Sequence, residues 1–324
     1  MTKAIRIHKT GGPEVLTWED VDVPAPKQGE ARIRHTAIGL NYIDTYHRSG
    51  LYPVPLPAVI GSEGAGIVEA VGPDVTDIKV GDRVAYGNAP LGSYAEARII
   101  PAGRLVKIPE GISDQQAASM MLKGMTAQYL IRRTYRVQRG DTILVHAAAG
   151  GVGLILTQWA KHLGATVIGT AGSKEKAELA KQHGADHVIL YREAKFPDEV
   201  KRITNGAGVP VVYDGVGKDT FMGSLDCLRP LGYMVSFGNA SGAVPPVNLG
   251  ILAQKGSLYV TRPTLATYVA KREDLVATAN ELFDVVKKGA VKIEVNQTYP
   301  LKDAAKAHRD LESRKTTGST VLLP

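Results

Sequence analysis

Residues 140–153, Gly-Asp-Thr-Ile-Leu-Val-His-Ala-Ala-Ala-Gly-Gly-Val-Gly, constrain the fold more than any other stretch, because they join a short apolar strand to a helix through a turn of small residues. Ile143, Leu144 and Val145 make the strand. Gly150 lets the backbone approach a pyrophosphate, and Gly153 lets the following helix pack closely on the strand. The first amides of that helix then face phosphate charge. The first glycine of the usual G-x-G-x-x-G is Ala148 here, so the glycines alone also fit a packed strand-to-helix turn, and the pattern of the next hundred residues decides between the two.

Short apolar runs recur there at residues 166–169, 187–190, 209–213, 233–237 and 258–261, separated by polar stretches of helical pattern such as 174–183. Strands buried on both faces of a parallel sheet read this way. About six strands with helical crossovers predict an α/β fold with a doubly wound parallel sheet, whose ligand lies over the carboxyl ends of the strands.

The loop after the second of these strands bears on the choice of cofactor. An NAD site usually places Asp or Glu at that strand end for the ribose 2′-hydroxyl, and this chain has Thr170, Ala171, Gly172 and Ser173 there. Gly172 and Ser173 offer small donors, Lys174 and Lys176 offer cations, and Tyr191 comes after the next strand with a phenolic hydroxyl. A 2′-phosphate suits that set. Two lysines in the first turns of a helix also fit solvated surface charge, so the missing acid is the stronger evidence.

At 324 residues with 44% apolar content, the chain is long enough for two cores. The N-terminus runs straight into a strand without a signal-peptide core, and no apolar run is long enough for a membrane span; a cytoplasmic protein is expected. The single cysteine, Cys227, lies in an expected helix among apolar neighbours and reads as core. Lys and Arg outnumber Asp and Glu by 39 to 32, a formal net charge of +7. That balance suits an anionic cofactor and also permits nucleic acid, but the basic residues are dispersed among acids rather than gathered in an arm.

Before the nucleotide-binding half, residues 31–39, 66–72 and 82–86 read as strands bounded by glycine and proline turns, which suggests a compact barrel-like β domain. From about residue 267 onward come helices over 272–288 and 301–313 and a closing strand over 319–323, a segment expected to return to the first domain. The expected boundaries are residues 1–123 and 266–324 for one discontinuous domain and 124–265 for the nucleotide domain, with the cofactor in a cleft between them. An edge strand at 258–261 could pair with its twin in a symmetric dimer.

Over essentially its whole length the chain resembles the medium-chain dehydrogenase/reductase superfamily, and within it the zinc-independent NADPH:quinone oxidoreductases related to zeta-crystallin. The residues that carry the resemblance are Gly140-Asp141, Leu144, Ala148-Ala149-Gly150-Gly151, Gly153, Gln158 and Lys161, joined by the runs 41–46, 48–52, 122–126, 236–239, 261–263 and 311–314. The resemblance implies a GroES-like β-barrel catalytic domain beside the Rossmann sheet. It also implies which residues meet NADPH: Asn41, Asp44 and Thr45 on the nicotinamide and ribose side, with Tyr129, Gly150, Gly151 and Val152 close by. Gly172, Ser173, Lys176, Tyr191 and Arg314 fall to the adenosine phosphate, and Phe237, Gly238, Asn239, Ala240, Pro263, Thr264 and Leu265 to the strand ends beneath the cofactor.

The zinc-dependent alcohol dehydrogenases look similar around residues 39–44, but they carry a metal-binding Cys where this chain has Asn41, Gly-His-Glu where it has Gly61-Ser62-Glu63, and a second Cys near Leu122. Zinc takes thiolate and imidazole in such positions, so no metal is expected to polarise the substrate. His35, His47, His146 and His308 lack paired metal spacing and read as structural or surface residues. The resemblance then implies reduction of a quinone or another electron-poor small molecule by NADPH. Tyr46 and Tyr52 are candidate hydroxyls for the substrate oxygen, though both could equally be packing. Hydride and one-electron transfer remain open, as do a zinc-independent enone or enoyl reductase and an RNA-binding relative of zeta-crystallin.

Overall fold

The computed structural model describes residues 1–88 and 90–324. In chain order, the first part carries β1 (Thr2–Ile7), β2 (Thr17–Val21), β3 (Glu30–Leu40), helix α1 (Tyr42–Ser49), β4 (Ala58–Val59), β5 (Glu63–Val71), β6 (Arg83–Gly87), β7 (Ala97–Pro101), β8 (Val106–Lys107) and α2 (Asp114–Tyr129). The middle part carries β9 (Thr142–Val145), α3 (Gly151–His162), β10 (Thr166–Ala171), α4 (Lys174–Gln182), β11 (His187–Leu190), α5 (Phe196–Ile203), β12 (Val209–Asp214), α6 (Phe221–Asp226), β13 (Leu228–Ser236), α7 (Gly250–Gln254) and β14 (Tyr259–Thr261). The chain ends with α8 (Leu265–Tyr268), α9 (Arg272–Lys287), β15 (Val295–Pro300), α10 (Ala304–Glu312) and β16 (Ser319–Leu323).

Two compact units emerge. The first comprises Met1–Met125, Tyr268–Lys287 and Ile293–Pro324; the second comprises Thr126–Thr267 and Lys288–Lys292. In the second, the six-stranded sheet runs β11-β10-β9-β12-β13-β14 with every pairing parallel. Counted from its own first strand this is the order 3-2-1-4-5-6, the doubly wound Rossmann arrangement. Leu144, Ile168, Val212 and Met234 from four of the strands are buried together, as the continuous apolar runs require.

The first unit holds a seven-stranded sheet ordered β15-β16-β3-β5-β6-β8, with β7 also on β3, and a smaller sheet β2-β1-β4. Ile33, Val68, Val84, Ile100 and Leu105 fill one core of it. A second core gathers Ile5, Ile38, Leu40, Ile60, Leu301 and Leu322, so the returning C-terminal segment is packed on the N-terminal strands.

Three expectations change in detail. β13 begins at Leu228 rather than 233, because Arg229, Pro230 and Leu231 are carried into the strand through an irregularity at which Leu231 takes a φ of 60°. The helix expected over 301–313 opens as a 3-10 turn, Leu301–Asp303, and only then becomes α10. Cys227 is not inside a helix but caps the C-terminus of α6; it is fully buried, and burial pushes its thiol up to about 12. No helix among the described residues is long and apolar enough to cross a membrane.

Buried histidines make the fold sensitive to acid. His35 Nδ1 donates to Ala95 O (2.6 Å), its Nε2 accepts from Tyr86 Oη (2.7 Å), and burial with the nearby Arg98 guanidinium holds its pKa at about 3. Burial and Arg48 do the same to His308. An unfolded histidine titrates near 6.5, so stability present above that pH is lost as the pH falls toward 3, up to roughly 4 to 5 kcal/mol for each group. Asp44 works oppositely: burial raises its pKa to about 7, so its protonation adds stability as the pH falls from 7 toward 4. Two histidines outweigh one carboxyl. Urea midpoints should fall steadily between pH 6 and 4, and a flat profile would contradict the burial argument.

Candidate active site

The site residues of the first unit begin at the N-terminus of α1. Asn41 is the N-cap, and its backbone N–H donates to Asp44 Oδ2 (2.9 Å), the carboxylate three residues on. Asp44 N donates back to Asn41 O (3.1 Å), and the two bonds tie off the first turn and fix where Asn41 stands. Thr45 Oγ1 donates back to Tyr42 O (2.7 Å). The Asp44 carboxylate also accepts from Tyr94 Oη (3.0 Å) and, at 3.5 Å, from Ser62 Oγ. Asp44 is fully buried.

Behind Asp44 lies a chain whose direction can be worked out. The Arg48 guanidinium can only donate, so His308 Nδ1, 3.0 Å from Arg48 Nη1, accepts. His308 is neutral and its proton sits on Nε2, which donates to Tyr94 Oη (2.9 Å); the tyrosine proton then goes to Asp44. Arg48 completes the chain with a two-pronged bond to Glu312, at 3.0 and 2.7 Å. Arg48 and Glu312 belong to two of the short runs that carry the family resemblance, and here they join α1 to α10.

Beside Asn41 is a buried ion pair. Glu63 Oε2 accepts from Asn41 Nδ2 (2.9 Å) and from Lys123 Nζ (2.9 Å), while Oε1 accepts from the Leu122 backbone N–H (2.7 Å). The side chains of Glu63 and Lys123 are 0% and 7% exposed. Gly39 makes room for the carboxylate: a Cβ there would overlap Glu63 Oε2 and Ala118 O. Asn41, Ser62 and Leu122, the positions that zinc-dependent relatives give to metal ligands, are thus all bonded to one of two buried carboxylates, Glu63 or Asp44. Among the described residues no three His, Cys, Asp or Glu side chains are grouped to hold a metal ion.

Tyr46 and Tyr52 are brought together, with ring centroids 5.2 Å apart edge to face, and Tyr46 is largely buried. Arg314 stands exposed two residues beyond α10 in a left-handed conformation, φ 60°. Tyr42 Oη donates to Leu311 O (3.3 Å) and so links α1 to the end of α10.

The second unit presents its candidates at the strand ends. Gly150 is the N-cap of α3, no side chain caps the helix and its first turn carries no acid, so the positive end of that helix is left for an anion. A Cβ on Gly153 would overlap Ala147 O and stand 2.8 Å from Ala148 Cα, which leaves glycine as the residue that fits the turn. The turn is held from below: Ala148 N donates to Thr170 O (3.0 Å) and Ala147 N to Thr170 Oγ1 (3.3 Å). Thr170 Oγ1 also meets His146 Nδ1 (3.0 Å), whose Nε2 meets Ser224 Oγ (3.0 Å). Burial lowers the His146 pKa and keeps the ring neutral.

Ser173 caps α4 by accepting from Lys176 N (3.3 Å), and the Tyr191 hydroxyl lies over Gly172. Gly172, Ser173, Lys176 and Tyr191 are therefore neighbours. The first carboxylate beyond β10 is Glu175, which is exposed and bonds the Ser173 hydroxyl, an interaction that lowers its pKa. At the neighbouring strand ends, buried Asp214 accepts from Val216 N (2.7 Å), Gly217 N (3.0 Å), Thr220 Oγ1 (2.7 Å) and Ser224 Oγ (3.1 Å). Phe237 N donates to Asp214 O and Ala240 N to Gly215 O. Arg262 holds Ser236 O (2.8 Å), and with its amide oriented to satisfy both groups Asn239 accepts from the same guanidinium (3.1 Å). Pro263, Thr264 and buried Leu265 come directly after it. Tyr129 is buried at the end of α2. An uncapped helix end, a glycine turn and a strand end without a bonded ribose acid fit the pyrophosphate and 2′-phosphate of NADPH.

Lys123, Glu63, Tyr94, Asp214 and Arg262 carry this arrangement, and sequence reasoning misses them as site residues. A lysine amid the apolar run Met120, Met121, Leu122 and Met125, and a glutamate in a glycine-rich strand, are the signals that could mark the first pair, since charges are rarely buried unless paired.

Residues 27–110 match the alcohol dehydrogenase GroES-like domain and residues 151–282 the zinc-binding dehydrogenase family. The chain is 57% identical to a quinone oxidoreductase of Pseudomonas aeruginosa, with 100% of each chain covered. It is 49% identical to a 2-haloacrylate reductase of a Burkholderia species, covering 100% of this chain and 99% of that protein. The crystal structure of Escherichia coli quinone oxidoreductase complexed with NADPH superposes with a TM-score of 0.98 at 53% identity, covering 99% of this chain and 100% of the other. A fold, a glycine turn and a full-length likeness of this order lead to one conclusion: the chain belongs to the quinone oxidoreductase family of the medium-chain dehydrogenase/reductase superfamily.

Proposed function

We propose that this protein reduces quinones with NADPH and without a metal. The observation that carries the reading is the first-unit cluster. Where zinc-dependent relatives place thiolate and imidazole ligands, this chain has Asn41, Ser62 and Leu122 engaged with Glu63 and Asp44. A quinone is electron-poor enough to accept reducing equivalents without metal polarisation, so positioning is the protein's main task.

NADPH, when bound, supplies the reducing equivalents. The uncapped end of α3, with Gly150, Gly151 and Val152, receives the pyrophosphate. Ser173, Lys176, Tyr191 and Arg314 recognise the 2′-phosphate; taking up Ser173 exchanges one anionic acceptor, Glu175, for another. Asn41, Asp44 and Thr45 orient the nicotinamide and its ribose, and Tyr129 is assigned to the cofactor as well. Phe237 to Ala240 and Pro263 to Leu265 form the floor. Tyr46 and Tyr52 serve the substrate oxygen.

Cofactor preference tests this reading. A hydrogen bond to a charged group contributes about 1.5 to 3 kcal/mol, so Lys176→Ala should cut the NADPH-over-NADH ratio of kcat/KM by roughly 10- to 150-fold. Steady-state kinetics with both cofactors and a panel of quinones measures it. Equal NADPH and NADH efficiencies in the unmodified protein would overturn the assignment.

A second reading, reduction of a conjugated C=C, is favoured by the 49% identity to the 2-haloacrylate reductase. The same panel extended to enones and 2-haloacrylates discriminates the two. We also take the protein to be a cytoplasmic homodimer that does not bind nucleic acid. β14 is an edge strand with Tyr259 and Val260 exposed, and Tyr259 stacks on Tyr233 at 4.7 Å, which offers a twin strand both ladder groups and an aromatic face. Light scattering that returned a monomer would remove the dimer.

A further inference from the structure

An ammonium group has three N–H donors, and Lys123 Nζ has a single protein partner among the described residues, Glu63 Oε2 at 2.9 Å. Its side chain is 7% exposed, too little for water to satisfy the remainder cheaply. Buried groups left short of partners call for an explanation. Among the described residues no further acceptor reaches Lys123 Nζ: Glu63 is already shared with Asn41 Nδ2 and Leu122 N, and Asp44, the other carboxylate that feels the Lys123 charge, is taken up by Asn41 N, Tyr94 and Ser62. The cation is therefore held in place by one carboxylate, with two donors in reserve, beside the three positions from which zinc-dependent relatives would hold a metal.

We propose that Lys123 is a catalytic residue: its ammonium donates to the carbonyl oxygen of the bound quinone and stabilises the negative charge that develops there during reduction. The inference rests on the quinone-reductase reading. It gives the chain's own cation the electrostatic task of a metal, with Glu63 as the positioning residue that keeps the long side chain in one rotamer. No bond to Lys123 forms or breaks. The reducing equivalents come from NADPH, and the protons of the hydroquinone come from solvent.

The test compares wild type, Lys123→Arg and the double variant Lys123→Met/Glu63→Gln, which leaves no buried charge unpaired. NADPH affinity is followed by fluorescence titration, and kcat/KM by turnover of quinones that run from methyl-substituted to halogenated. A missing donor to developing charge costs on the order of 100- to 1000-fold. The double variant should bind NADPH as wild type does and lose that much on methyl-substituted quinones. It should lose much less on halogenated ones, which need less stabilisation, so the dependence of rate on reduction potential steepens. Lys123→Arg should keep most of the activity. Loss of the same factor on every quinone, or no loss, overturns the inference while leaving the functional reading intact. Wild-type protein that binds NADPH and reduces no quinone defeats the functional reading itself.

Discussion

Glu63→Leu should destabilise the protein by about 3 to 5 kcal/mol, the cost of leaving a buried charge without its partner. The substitution removes the one acceptor that Lys123 Nζ has among the described residues, and takes from Leu122 N and Asn41 Nδ2 the Glu63 oxygens they donate to. Replacing both members of a buried pair is commonly near neutral, so Lys123→Met/Glu63→Gln should recover most of the loss. Urea denaturation of Glu63→Gln, Lys123→Met and the double variant closes the cycle and measures the coupling. Additive effects of the two positions would mean that the pair contributes little.

Gly153→Val is expected to abolish measurable NADPH binding. The added Cβ would overlap Ala147 O and crowd Ala148, both backbone, so no side-chain rearrangement relieves it. The turn must open, and Ala147 and Ala148 must leave Thr170, the residue that fixes their height above β10. Overpacking of this kind costs about 1 to 3 kcal/mol in stability even where neighbours can yield. The effect on binding should be larger, because the displaced turn is the one we propose to receive the pyrophosphate. Fluorescence titration with NADPH measures it, and affinity within about tenfold of wild type, some 1.4 kcal/mol, would contradict the assignment of this turn.

The parallel sheet is legible in the sequence because its strands are buried on both faces and therefore read as unbroken apolar runs, from Ile143-Leu144-Val145 to Val209-Pro210-Val211-Val212-Tyr213. The start of β13 is not, since Arg229 and Leu231 are exposed there and the strand is irregular, so no apolar pattern marks residues 228–232. Local chemistry likewise marks the glycine turn and Ser173 at the head of its helix. The buried polar clusters leave little local trace. Lys123 and Glu63 are 60 residues apart in the chain and Arg48 and Glu312 are 264 apart, so each looks like an ordinary charge until the fold supplies its partner. His308 reads as a structural or surface residue in the sequence and is buried; its neutral tautomer, set by Arg48 and passed through Tyr94 to Asp44, emerges only from the assembled geometry.

The central claim is that a hydrogen-bonded cluster built on Glu63, Lys123, Asn41 and Asp44 serves where relatives use zinc. NADPH-dependent quinone turnover, measured before and after exhaustive chelation with elemental analysis of the same samples, tests it most directly. The account predicts undiminished turnover and no stoichiometric metal. Stoichiometric zinc, with activity lost on its removal and restored on its return, would contradict it.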